Sequence, residues 1–369
     1  MKKRFGSLEI NGDWLLTIAL LLLCVVGGIF VYSASSYTAK IDYQDEFYFL
    51  KKQLIGYAIG FCGYFVLSNF NYKRLKKWWI IFYAVGLILL ALVLTPLGKE
   101  VYGAKRWIAI GPITIQPSEI ARLAFVIAAA AYFSKDITRA KTFKGVLPVI
   151  AMGGGVCLLI IMQPNMSVTV CVGSVMLVML FAVGMPMKKL IALILPIVAL
   201  IPILIAIEPY RLKRLFAFLD PWSSPKGEGY QLIQSLYALG NGGLFGTGLF
   251  SSRQKLKFLP FAESDFILSI IGEETGFLGI LMLLFLCAFI IMRVIKIAKN
   301  ADNFFGFLLC FGIAAVFAIQ IIVNALVVTG SIPPTGIPFP LVSSGNTQII
   351  TFLASFGIVN NVYKNMNKI

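Results

Sequence analysis

Residues 265–292 read DFILSIIGEETGFLGILMLLFLCAFIIM, with an acid, Asp265, at the mouth of a long apolar run that is interrupted at Gly272, Glu273, Glu274 and Gly276. A helix needs about 20 apolar residues to cross bilayer hydrocarbon, so the stretch predicts a membrane span with a carboxylate at one end. Just upstream, residues 242–264 join a glycine-rich loop, a basic run (Arg253, Lys255, Lys257) and Pro260. Glycine lets backbone fold closely around a ligand, and clustered cations draw anions.

The rest of the chain repeats the apolar theme. Apolar residues make up 59% of the 369, and mean hydropathy is +0.88. Counting apolar runs gives ten spans, at 14–34, 48–68, 78–95, 116–133, 145–162, 166–184, 189–207, 265–292, 303–328 and 347–362. A soluble core is excluded. The expected fold is an all-α polytopic integral membrane protein of about ten transmembrane helices. It forms a single domain over 1–369, with one long extracellular loop, 208–264, between the seventh and eighth helices. The first run is long and lacks a convincing small-residue cleavage site, so it predicts a retained helix and not a removed signal peptide.

The formal charge of +16 does not point to nucleic acid, because the Lys and Arg residues sit in short clusters between apolar runs. With the N-terminus inside, eighteen cations fall in cytoplasmic segments against six in or beside the short outer loops. The positive-inside rule then puts both termini in the cytoplasm. It leaves residues 208–264 outside with seven cations: Arg211, Lys213, Arg214, Lys226, Arg253, Lys255 and Lys257. Cations there run against topology, and either a bound anion or lipid phosphates at the interface would account for them. The chain has no histidine, which removes Ser-His-Asp and Cys-His catalysis and His-ligated metals. The six cysteines lack ligand spacing and predict small buried hydrophobes.

Ionisable groups within a span are costly and so are functional candidates. Glu119 and Arg122, in QPSEIAR at 116–122, share one helix face. They make either a structural ion pair or a cavity pair that orients a polar substrate. In GAKRWI at 103–108, Arg106 could fork onto a phosphate, while Trp107 also suits an interfacial anchor. Asp265 sits where a helix N-terminus favours the carboxylate, as a general base, a divalent-cation ligand or a simple cap. Glu273 and Glu274 point to packing or coupling. The irregular stretch 332–346, IPPTGIPFPLVSSGN, predicts a re-entrant cavity wall ahead of an ordinary loop.

The motifs GAKRWI, QPSEIARLA, PYRLKR, GEGYQLIQSLYALGNGGLFGTGL, SSRQKLKFLP, SDFILSIIGEETGFLG and PPTGIPFP occur in that order. Together they resemble the SEDS family (FtsW, RodA, SpoVE), and most of all its FtsW and SpoVE branch, over essentially the whole chain. The resemblance implies a glycosyltransferase that polymerises lipid II into peptidoglycan strands outside the bacterial cytoplasmic membrane, beside a class B penicillin-binding protein. It implies Asp265 as the catalytic acid of the pattern. Substrate contacts are expected from Lys52, Arg106, Glu119, Arg122, Gln231, Gln254, Lys255 and Ser343. Arg122 stands where the family has Lys, and Lys52 where it has Arg. The family's QPD is Gln163-Pro164-Asn165 here, and Phe261, Glu263, Ser344 and Asn346 also depart from its pattern. No cofactor is required by this reading, and a divalent cation (Mg or Mn) at Asp265 is left open. The rival expectations are a lipid II flippase, which needs a polar path inward, and a catalytically idle scaffold of the division or sporulation machinery.

Overall fold

The computed structural model describes residues 12–101, 104–110, 113–207 and 209–366. A helix stands at each of the ten expected spans: α1 Trp14–Tyr43, α2 Tyr48–Asn69, α3 Lys73–Val93, α4 Pro117–Phe133, α5 Phe143–Ile161, α6 Met166–Ala182, α7 Met187–Ile207, α10 Ile267–Lys299, α11 Phe304–Val328 and α12 Asn346–Lys364. Two shorter helices, α8 Pro209–Leu219 and α9 Tyr230–Gly242, lie between α7 and α10. Among the described residues α1, α3, α5, α10 and α11 are each long and apolar enough to cross a membrane unaided.

Close side-chain packing and interhelical hydrogen bonds bring these helices together. α11 is the most enclosed of the five, with 67% of its apolar window buried, and it packs on α4, α6, α10 and α12. In α4 the run Ala128–Ala131 is fully buried, so small side chains let neighbouring helices approach. Starts of helices are marked by side-chain caps. Asp13 accepts from Leu16 N, Thr142 from Gly145 N, Asn165 from Val168 N and Asn303 from Gly306 N. Asn165, where the family pattern has Asp, keeps an oxygen able to cap α6.

The two ends of the bundle carry separate polar systems. At the end where α1 begins and α12 ends, Arg293 Nε donates to Asp13 Oδ2 at 2.6 Å, Asp13 N to Asn360 Oδ1 at 2.8 Å, and Tyr72 N to Asn361 Oδ1 at 3.0 Å. The opposite end gathers the segments that carried the sequence motifs.

Four features depart from expectation. Residues 98–115 form a three-stranded antiparallel sheet, β1 Gly98–Val101, β2 Ala104–Ile110 and β3 Ile113–Ile115, within a chain expected to be all helix. Lys99 pairs with Trp107 and Ala109 with Thr114, and the alternating β-branched and aromatic residues suit a small half-exposed sheet. The segment 208–264 is not simply a loop, since it contains α8, α9 and a 3-10 turn at Pro221–Ser223. α1 runs on to Tyr43, beyond its apolar part. Finally, α10 is two helices joined at Gly276, whose φ of 69° and ψ of −170° are not helical.

Candidate functional site

Asp265 lies one residue before the position capping α10, which is Phe266 and which makes no side-chain cap bond. Asp265 is therefore not a helix cap. Its main chain is fixed by α11, because Asn324 Nδ2 donates to Asp265 O at 2.8 Å and to Ile337 O at 2.7 Å. Ser343 Oγ donates to Ser264 O at 2.6 Å and accepts from Phe339 N at 2.8 Å, while Ser344 N donates to Glu263 O at 2.9 Å. The stretch 332–345 thus forms a wall against Asp265. Ile337, Phe339, Leu341, Val342 and Ser343 are all buried in it, which satisfies the condition for irregular chain at membrane depth. Gly336, at φ 68°, lies so close that a Cβ on it would stand 3.2 Å from Asp265 Oδ2.

Burial pushes the Asp265 carboxyl above the ordinary aspartate value of 3.8. The hydrogen bond from Ser264 Oγ, 3.0 Å from Oδ1, and the charges of Arg106 and Arg214 act in the opposite direction. Burial is the larger effect, so loss of water outweighs these favourable contacts. Glu263 is likewise raised, first by burial, with Asp265 and Asp42 adding to it.

The two arginines come from opposite sides. Arg106 on β2 donates from Nε to Gln163 O at 3.5 Å and from Nη2 to Pro164 O. Arg214 on α8 donates from Nη1 to Pro334 O at 3.4 Å and lies 3.9 Å from Glu228. Arg214, Glu228, Gln231, Leu232 and Pro334 border a small polar pocket, and Gln231 Nε2 reaches Pro260 O at 3.5 Å. Arg214 was visible in the sequence only as one of seven outer cations. Asn324, an apolar-span residue by position, gave no signal at all.

Glu119 and Arg122 form a buried ion pair on α4. Arg122 Nη2 also donates to Gln320 Oε1 at 3.3 Å, and its guanidinium lies over Phe352 at 5.6 Å. Gln348 Nε2 joins this layer to the wall through Pro338 O at 3.1 Å. Among the described residues Arg122 Nη1, Ser118 Oγ and Gln348 Oε1 lack partners. The adjoining cavity is lined by Glu119, Arg122, Thr351 and Ser355 together with Leu123, Val126, Ile313, Val316 and Phe352.

Gln254 and Lys255 belong to a different construction. The break at Gly276 leaves backbone groups of both halves of α10 without helical partners, and residues 243–248 supply them. Thr247 N and Gly248 N donate to Glu273 O and Glu274 O, and Phe277 N and Leu278 N donate to Gly243 O and Leu244 O, all at 2.9–3.2 Å. The side chain of Glu273 then accepts from Ser252 Oγ, Arg253 N, Gln254 N and Asn241 Nδ2. Lys255 Nζ meets Glu274 Oε1 at 2.9 Å, and the two side chains are 8% and 0% exposed. Lys52 is exposed on α2, where its ammonium bonds Tyr48 OH at 2.6 Å.

Asp265 and Ser343 therefore share one site on which Arg106 and Arg214 act, Glu119 and Arg122 occupy a buried layer joined to its wall, Gln231 borders the pocket beside Arg214, Gln254 and Lys255 belong to the loop at the break in α10, and Lys52 is exposed on α2. Among the described residues no three His, Cys, Asp or Glu side chains gather as metal ligands. A divalent ion at Asp265 would take its other ligands from substrate.

Comparison with known proteins agrees in sequence and in shape. A family model described as "Cell cycle protein", for FtsW, RodA and SpoVE, matches residues 13–368. Stage V sporulation protein E of Bacillus subtilis is 38% identical over 353 residues, covering 95% of this chain and 96% of that protein. A "Probable peptidoglycan glycosyltransferase FtsW" of Trichlorobacter lovleyi is 38% identical, covering 95% and 92%. A solved structure described as "Structural coordination of polymerization and crosslinking by a peptidoglycan synthase complex" superposes with a TM-score of 0.81 at 28% identity, over 98% of this chain and all of that one. The RodA crystal structure from Thermus thermophilus has the same fold, at a TM-score of 0.72. The chain belongs to the FtsW/RodA/SpoVE family of cell cycle proteins.

Proposed function

We propose that the chain is a peptidoglycan glycosyltransferase that polymerises lipid II at the outer face of the bacterial cytoplasmic membrane, with ten spans and both termini inside. The observation that carries this reading is Asp265, a water-poor carboxylate with its main chain fixed on two sides and two arginines acting on it. Chain growth joins an acceptor sugar hydroxyl to an anomeric carbon as the bond to the lipid pyrophosphate breaks. Asp265 takes the hydroxyl proton as general base. Arg106 and Arg214 meet the charge that gathers on the departing pyrophosphate. Lys52 and Gln231 contact the outer parts of the substrate, and Glu119 and Arg122 stiffen the wall behind Ser343.

The flippase alternative needs a polar path inward. Besides Glu119 and Arg122, the cavity in this layer is lined mainly by apolar groups, Leu123, Val126, Ile313, Val316 and Phe352, with Thr351 and Ser355 the polar exceptions, so it offers little of such a path. The likeness to a synthase complex supports a class B penicillin-binding protein as partner. The test is polymerisation of purified lipid II by the full chain with its cognate penicillin-binding protein. Asp265→Asn is expected to abolish strand growth, and growth at the parental rate would sink the assignment.

A further inference from the structure

One buried ion pair at the outer end has no role in the chemistry above. α1 has 30 residues, about 45 Å at 1.5 Å per residue, against about 30 Å of hydrocarbon. Its outer part, from Tyr32 onward, stands as a post beside residues 250–257 and touches them at three points. The rings of Tyr32 and Phe250 meet edge-on at 6.0 Å. Asp42 bonds Lys257 at 2.7 Å at the exposed tip. Between them, Ser33 Oγ donates to Glu274 Oε1 at 2.7 Å and accepts from Lys255 Nζ at 3.1 Å. Glu274 Oε1 also accepts from Ser252 N at 3.2 Å. Loop, post and the break in α10 thus meet on one carboxylate oxygen. The other, Oε2, has no partner among the described residues.

An ammonium so engaged is poorly placed to hold a pyrophosphate. Substrate would have to take Lys255 from Glu274 and strand a buried carboxylate, which is costly. The loop leads directly into Ser264 and Asp265, while the first half of α10 runs from Asp265 back to Glu274. Pinning Lys255 to Glu274 closes that circuit. We propose that Ser33, Lys255 and Glu274 are positioning residues, a brace that ties the loop between α1 and α10 and so fixes the catalytic segment. The proposal rests on Asp265 as the base.

The test measures lipid II polymerisation by the full chain with its penicillin-binding protein for Lys255→Met, Glu274→Gln, the double variant, Lys255→Arg and Asp265→Asn. Displacement of a catalytic group by about 1 Å costs about 100-fold, so Lys255→Met is expected to lose about that much in kcat with KM unchanged. Adding Glu274→Gln removes the stranded charge and is expected to restore about tenfold, a non-additivity that marks a coupled pair. Lys255→Arg is expected to stay close to the parental rate. If Lys255→Met alone does not fold, recovery of folded, active protein in the double variant is the same rescue. A rise in KM without rescue would place Lys255 on the substrate and overturn the brace, as would losses that simply multiply or single variants at full rate. Asp265→Asn separates the two ideas, because full activity there sinks the base whatever the rescue pattern.

Discussion

At the scale of single residues, Asp265 is governed by opposing forces of known sign. Burial raises its pKa, and Ser264, Arg106 and Arg214 lower it. The base works deprotonated, so the rate rises with pH through a midpoint above the ordinary 3.8. Arg106→Gln or Arg214→Gln removes a charge that favours the carboxylate, and each is expected to move this acid limb to higher pH as well as lower kcat. A pH–rate profile checks it, and a limb that stays put or moves down would remove the arginines from the site. Asp265→Asn is expected to cost about 10² to 10⁴ in rate, the usual worth of a general base. Gly336→Ala offers an independent probe. The left-handed backbone there costs a side chain about 1–2 kcal/mol, and its Cβ would press on Asp265 Oδ2 at 3.2 Å. Both thermal stability and kcat are expected to fall. Asp265 stood out in the sequence through its place before an apolar run and through family resemblance. Asn324 was not, because a lone amide inside an apolar helix shows its partners, Asp265 O and Ile337 O, only once α11 has packed.

At the scale of elements, α10 explains what a sequence conceals. Apolarity continues through 265–292, so periodicity reports one helix, and the break rests on the backbone of a single glycine together with the distant residues 243–248 that complete it. The same reason hid the sheet, whose strands are too short to signal themselves and exist through cross-strand bonds. The outer part of α1 was missed for the opposite cause, as SSYTAKIDY is polar enough to look like loop yet forms helix. Gly276→Ala tests the break. A Cβ would lie 2.4 Å from Gly246 N and 2.5 Å from Leu244 O, with the left-handed cost of about 1–2 kcal/mol added. The variant is expected to lose several degrees in Tm and to expose residues 243–257 to protease. Gly154→Ala, with nothing within 4 Å of its Cβ, serves as the silent control. Equal behaviour of the two would mean that the stitched break is not a stability element.

At the scale of the whole molecule, the ten helices were legible because each apolar run must satisfy its backbone internally and leave no choice but helix. Orientation rests on charge alone, yet the structure adds a check through connectivity. The segments ending in or containing Arg106 and Gln116, Pro164 and Ser167, Ser264, and Thr335, Ser343 and Thr347 meet through Arg106 with Pro164, Thr347 with Gln116, Ser167 with Thr335 and Ser343 with Ser264. They must therefore share one side. Asp13, Arg293 and Asn360 define the other. Lys226→Cys, in the exposed turn before α9, is expected to react with a membrane-impermeant maleimide on intact spheroplasts. Lys299→Cys, exposed at the far end of α10, is expected to react only after permeabilisation. Of the native cysteines Cys24, Cys171, Cys287 and Cys310 are buried, while Cys62 on α2 is exposed and Cys157 on α5 half-buried, so both variants are made on a Cys62→Ser, Cys157→Ser background. The reverse labelling pattern would put Asp265 inside the cell, where a strand-polymerising enzyme has no wall to build, and would remove the proposed function along with the topology.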